Sequence, residues 1–191
     1  MFSSIVRSAW IWTAVTGAIL VAAAVIEFAL GRVPWCSCGD IKLWHGVVYS
    51  SENSQHVTDW YSFTHVTHGI AFYLLLWIVA RRLPTGARFV LAVLIEATWE
   101  VVENSPFIID RYRAATISLD YYGDSIVNSI ADIVAMMTGF WIAKTAPVRA
   151  SAGFVVVTET LLAIAIRDNL ALNILMLLYP LDAVKRWQFG A

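Results

Sequence analysis

Charge is what this chain lacks. Of its 191 residues only 14% are Asp, Glu, Lys or Arg, while 59% are apolar. A soluble domain carries about 25% charged and about 45–50% apolar residues. The shortage excludes disorder, a coiled coil, a collagen and an ordinary soluble enzyme. Neither sign dominates: 13 basic against 14 acidic residues leave −1. That balance suits neither a nucleic-acid binder nor a polybasic lipid clamp. There are only two cysteines. No internal repeat, low-complexity tract or linker interrupts the pattern, so residues 1–191 read as one integral membrane domain.

What the chain has is apolar length. A bilayer-crossing helix needs about 20 mostly apolar residues. Six stretches qualify or nearly do: Ala9–Leu30, Phe63–Ala80, Phe89–Ser105, Ser125–Ala143, Ala152–Ile166 and Leu170–Leu181. The last two are short, and Arg167–Asp168–Asn169 can join them as a tight hairpin. The expectation is an all-α polytopic bundle of about six transmembrane helices. Cations orient it. The RRLPTGAR loop at 81–88 holds three arginines and no acid. Placing it inside puts both termini in the cytoplasm and the segments 31–62, 106–124 and 167–169 outside. An apolar run of 22 residues exceeds the h-region of a signal peptide, about 7–15 residues. The first helix is therefore expected to be retained.

Polar groups recur inside these spans at helical spacing. Such groups are costly in hydrocarbon and normally face a bundle interior or wet cavity. Glu96, Glu100 and Glu103 sit at i, i+4 and i+7, one stripe of the third span. Asn104 follows, and Pro106 should end or kink the helix. Asp124, Asn128 and Asp132 form a second stripe, with Asp124 placed to cap the fourth span. His65 and His68 lie one turn apart at the start of the second. Glu159, Arg167, Asp168, Asn169 and Asn173 mark the fifth and sixth. Topology gathers His65, His68, Glu100, Glu103, Asp124 and Asn128 in outer halves, with Glu96, Asp132 and Glu159 deeper.

Three carboxylates on one stripe need protons or cations. The candidate cations are Arg111, Arg113, Arg167 and a divalent metal. His at i, i+3 beside carboxylates suits Zn, Mn or Fe. His65, His68, Glu100, Glu103 and Asp124 are the candidate ligands. Glu100, Glu103, Asp124 and Asp132 are the candidate acid–base groups. Glu96, Asn104, Asn128, Arg111, Glu159, Arg167, Asp168, Asn169 and Asn173 are supporting polar groups. The bland alternative is interhelical hydrogen bonding.

Residues 31–62 form an external stretch rich in Trp and Tyr, fit for an interfacial belt or a lid. His45 and His56 are expected to be solvated there, and 51–54 to make a turn. A bridge between Cys36 and Cys38, two residues apart, makes an easily reduced ring. Free thiols are therefore expected, with a soft-metal site or a redox pair as alternatives. Nothing resembling a lipoprotein cleavage site precedes Cys36.

The stretches GRVPWCSCG, SENSQHVTDWYSFTHVTHG, IEATWEVVENSPFIIDRYR, YYGDSIVNSIADIVAMMTGF, IRDNLALNILML and KRWQ resemble an uncharacterised family of small bacterial inner-membrane proteins, a domain of unknown function. The resemblance covers about residues 30–188. It implies a multi-pass protein of the bacterial cytoplasmic membrane and supplies no catalytic residue. Asn104, Asp110–Arg111 and Asn128–Asp132 are similar in order to blocks of the lipoprotein signal peptidases. The spacing is shifted, which moves the side chains to other helix faces. That likeness implies Asp110 and Asp132 sharing a proton.

Three functions fit these residues. One is a hydrolase or transferase on a lipid or lipid-linked substrate. Another is a non-enzymatic assembly factor, accessory subunit or lipid or pigment binder with a membrane protein partner. The third is a proton-coupled transporter relaying through Glu96, Asp132 and Glu159, which the lack of an inverted repeat disfavours.

Overall fold

The computed structural model describes residues 2–190, with side chains from Ala9 onward. The side chain of Arg7, which the sequence reading places on the cytoplasmic side, and the two terminal residues lie outside that description. Among the described residues there are eight helices. They are α1 (Phe2–Ala29), α2 (Ser62–Val79), α3 (Thr85–Glu103), α4 (Pro106–Ala115), α5 (Ile126–Thr145), α6 (Val148–Ala165), α7 (Leu170–Leu178) and α8 (Asp182–Phe189). The protein is an all-α polytopic membrane bundle.

Four helices are long and apolar enough to cross a bilayer: α1, α2, α5 and α6. Their outer faces carry Val21, Val25, Leu74, Ile78, Val157 and Ile164, all well exposed and fit for lipid. The third expected span, α3, has 19 residues but also Arg88, Glu96, Glu100 and Glu103. Its acids turn inward, so it belongs in the bundle without meeting the apolar criterion. The sixth expected span is not made. At nine residues, α7 rises only ~14 Å, against ~30 Å of hydrocarbon. The apolar run that suggested a span is broken at Pro180.

The chain after α7 stays at the end of the bundle where α4 lies. Lys185 Nζ donates to Ala114 O at 2.9 Å. Gln188 Nε2 donates to Asp168 Oδ1 at 3.2 Å, and Tyr49 OH to Gln188 O at 3.2 Å. The hairpin turn at 167–169 is present, with Arg167 at φ 55°.

Helices α2 and α5 make the closest crossing. A Cβ on Gly69 would lie 1.9 Å from Met136 O, and one on Gly139 1.9 Å from Val66 O. Small residues let backbones approach this closely. Around the crossing, Ala23, Leu76, Phe89, Val93, Ile133, Met136 and Phe140 form the apolar core. Phe140 meets the rings of Tyr73 and Phe89 edge-on at 5.1 and 5.3 Å.

Helix starts follow side-chain capping. Ser105 caps α4 with Pro106 in its first turn, so Pro106 opens a new helix after α3 ends. Ser125, not Asp124, caps α5, its Oγ accepting from Asn128 N at 3.2 Å. Asn169 caps α7 through Leu172 N at 2.8 Å. Two further donors of that turn, Leu170 N and Ala171 N, reach the Glu159 carboxylate at 3.2 and 3.1 Å. Glu159 is therefore committed to closing the α6–α7 turn.

The 31–61 segment has no regular helix, yet it is knitted to the bundle by backbone bonds. Ile126 N and Val127 N donate to Val33 O and Pro34 O at 2.9 and 3.1 Å. Ser125 N donates to Ser54 O at 2.9 Å. The first turn of α5 thus finds its partners in a distant part of the chain.

Candidate metal and acid–base site

The polar residues of α2, α3 and α5 meet beside a cavity of about 400 Å³. His65, His68, Glu96, Glu103, Asp124 and Asp132 are among its walls. The apolar side comes from Ala71, Phe72, Ile95, Ile174 and Leu177.

Glu96 is the hinge of the site. It is fully buried and receives both imidazoles. His65 Nδ1 lies 2.6 Å from its Oε1, and His68 Nδ1 lies 3.0 and 3.1 Å from its two oxygens. A carboxylate that accepts from both Nδ1 atoms places a ring proton on each of them. His65 also faces Glu100 Oε1 at 3.4 Å, and its Nε2 faces Asp132 Oδ2 at 3.8 Å. Asp132 accepts from Ser62 Oγ at 2.8 Å. Glu96 and Asp132, expected deeper than the histidines, therefore share their level. The axial register between α2 and its neighbours decides this, and spacing within one helix does not contain it.

A second group centres on Asp124. Asn104 accepts from Asp124 N at 2.7 Å and donates to Asp124 Oδ2 at 2.8 Å. Tyr121 OH donates to Asp124 Oδ1 at 3.1 Å. Burial pushes the Asp124 carboxyl up to about 6, against the pull of the Asn104 amide. Ligand atoms of Glu100, Glu103 and Asp124 all lie within 4.8 Å of one another, as do those of His65, His68 and Glu96. Both sets are candidate metal-coordinating clusters.

The remaining expected residues divide. Asn173 lines the cavity and accepts from Tyr112 OH at 3.0 Å. Asn128 is buried, and its amide meets no hydrogen-bond partner. Asp168 is buried at the α6–α7 turn and accepts from Tyr61 OH at 3.1 Å. The expected cations do not compensate the acids. Arg111 Nε donates to Leu177 O at 2.8 Å, Arg113 pairs with Asp110 at 2.6 Å, and Arg167 donates to Trp187 O at 3.2 Å. Arg113 and Arg167 are exposed and Arg111 is half-buried. Asp110 is exposed and pairs with Arg113, whereas Asp132 is buried on α5.

Sequence reasoning missed several residues. Glu27, in the last turn of α1, is fully buried and neither carboxylate oxygen makes a hydrogen bond. Its place in an apolar helix was the available signal. Asp59 fixes the entry to α2 through Tyr61 N at 2.7 Å and Ser54 N at 3.2 Å. Tyr61, Tyr112 and Tyr121 complete the cavity wall. His45 and His56, expected to be solvated, are both buried, because the 31–61 segment folds on itself around them. Cys36 and Cys38 form a disulfide rather than free thiols.

Asp168 yields a pH prediction. Burial pushes its carboxyl from 3.8 up to about 6, although Tyr61 OH pulls it down. The folded state therefore keeps a proton that the unfolded chain releases. This contribution to stability is complete below pH 3.8 and is lost as pH rises through about 6. Asp168→Asn should remove that decline. Between pH 4 and 7 it should gain about 2–3 kcal/mol on the native chain, read from paired thermal melts in detergent. Parallel pH profiles would refute this.

Comparison with known proteins gives the same family along nearly the whole chain. The family model described as "Protein of unknown function (DUF2585)" matches residues 27–190. A UPF0314 protein of Paracoccus denitrificans is 55% identical over 182 residues, 95% of this chain and 93% of the relative. One from Rhizobium etli is 51% identical over 185 residues, covering 97% and 95%. One from Novosphingobium aromaticivorans is 53% identical over 174 residues, 88% of each. No solved structure matches. Helical spans and bacterial relatives together make this a multi-pass protein of the bacterial inner membrane. The chain belongs to the DUF2585 family of bacterial membrane proteins.

Proposed function

We propose that the protein is a membrane-embedded, metal-dependent hydrolase or transferase acting on a lipid or lipid-linked substrate. One observation carries the reading: two imidazoles share a buried carboxylate on the wall of a cavity that also presents Phe72, Ile95, Ile174 and Leu177. Two His and one Glu form a donor set that suits Zn, Mn or Fe. His65, His68 and Glu96 would hold the ion once it displaces the two Nδ1 protons, with Glu100, Glu103 and Asp124 as the neighbouring anionic group. A bound ion of this kind supplies Lewis-acid polarisation of an ester or phosphoryl oxygen. The chain's own groups do the rest. Glu96 orients both rings. Asn104 and Tyr121 fix the Asp124 carboxylate. Glu103 and Asp132 stand on the cavity wall, where a proton can be taken or given. Phe72, Ile95 and Ile174 supply apolar surface for an acyl or isoprenoid chain. With the RRLPTGAR loop in the cytoplasm, this site serves the outer leaflet.

A second reading is supported by the 31–61 segment. It exposes Trp35, Leu43, Trp44, Val47 and Tyr49 together, which suits docking of a lipid surface or membrane protein by a non-enzymatic assembly factor.

Elemental analysis of protein purified without chelator separates the two. The native chain should carry about one divalent ion of the Zn, Mn or Fe type, and His68→Ala should lose it. A native chain that stays metal-free after incubation with each ion defeats the enzymatic reading.

A further inference from the structure

The Cys36–Cys38 pair lies outside the cavity and has no role in the reading above. The two residues are joined, with Cα atoms 5.2 Å apart. Cys36 is 2% exposed, whereas Cys38 is exposed. Cys38 N donates to Cys36 Sγ at 3.2 Å. Ligand atoms of Glu52 and His56 lie within 4.8 Å of the sulfurs.

A disulfide that staples a fold gains its effect by closing a long loop of the unfolded chain. A bridge across one intervening residue closes almost none, so stapling is the weakest account of it. A metal site is also disfavoured by the donors. His56 Nδ1 accepts from Lys42 N at 3.2 Å, and Nε2 faces Glu52 Oε2 at 3.0 Å. A neutral imidazole has one lone pair and one N–H, and both are in use. Glu52 also holds the Lys42 ammonium. Lys42 and then His56 keep its carboxyl low, at about 2. What remains is an accessible disulfide against a fixed polar wall, the arrangement of a labile, exchanging bond.

We propose that Cys36 and Cys38 are a redox-active pair that oxidises a dithiol at the protein surface. The thiolate of the dithiol attacks Cys38 Sγ, the exposed sulfur. The Cys36–Cys38 bond breaks, a mixed disulfide forms on Cys38, and Cys36 leaves as a thiolate beside the Cys38 N–H. The second thiol of the partner, deprotonated, attacks its own bridged sulfur and releases Cys38. Two electrons pass to the pair, and the two protons of the dithiol end on Cys36 and Cys38. The partner becomes a disulfide. This inference does not depend on the metal reading.

Full-length protein in detergent micelles tests it. Before reduction, a maleimide-polyethylene glycol reagent should add to neither cysteine. After dithiothreitol without denaturant it should add to Cys38, the exposed sulfur. Adducts without reductant, or adducts only after denaturation, overturn the proposal. With an aromatic disulfide reagent, Cys38 in Cys36→Ser should react about tenfold or more faster than Cys36 in Cys38→Ser. Equal rates overturn the assigned order of attack. Oxidised native protein should convert a reduced dithiol peptide to its disulfide, and Cys38→Ser should not. If the native chain leaves the peptide reduced, the proposal fails.

Discussion

Gly139→Val should leave little folded protein. A Cβ at this position meets Val66 O at 1.9 Å, with Val66 C at 2.8 Å. Those atoms are backbone and cannot swing aside. Helices α2 and α5 must separate or slide, and either motion breaks the contacts of Met136 and Phe140 in the core. Overpacking by two or three carbons costs about 1–3 kcal/mol in a yielding site, and this site does not yield. The expected loss is at least about 3 kcal/mol, seen as a collapse of the monodisperse detergent peak. Gly139→Ala should lie between. Gly17, with open space around its Cβ position, supplies the control: Gly17→Ala should be close to neutral. A stable Gly139→Val chain would mean the two backbones do not cross here.

Glu96→Leu should be the most damaging change at the site itself. Glu96 is fully buried and accepts from His65 and His68. Leucine fills similar volume but leaves two imidazole N–H groups facing apolar carbon. Breaking a buried charge-assisted pair from one side costs about 3–5 kcal/mol, and His65 loses its closest anion. Glu96→Gln keeps one carbonyl acceptor and should lose less than half as much. On the metal reading both variants should lose bound ion, because neither leucine nor glutamine offers an anionic oxygen. Melting temperature and metal content then separate structural from ligating roles. Equal melting of Glu96→Leu and the native chain would show that the histidines do not lean on this carboxylate.

The general character of the site was legible in the sequence. Glu96, Glu100, Asp124, Asp132, His65 and His68 stand out because ionisable groups in apolar helices need an explanation. Helical spacing reports the face each group occupies. It does not report which level of the next helix that face meets. Glu96 was therefore expected below the histidines it binds, and Glu159 was grouped with the deep acids although it closes a turn. The crossing count failed for a related reason. Leu170–Leu181 is apolar enough for a span, but Asn169 starts and Tyr179–Pro180 stops a helix of nine residues. Burial of His45 and His56 lay beyond reach, since a segment without periodicity gives no sign of folding over its own side chains.

The bonds from Val33, Pro34 and Ser54 carbonyls to the start of α5 bear on any attempt to simplify this protein. A minimal version that joined α1 directly to α2 would keep every helix and still lack these acceptors. Bare amides would then open beside Asp124, and a dry, ordered helix end would become a place for water to enter. The irregular segment between α1 and α2 is thus part of the insulation of the site, and shortening it would change the chemistry within.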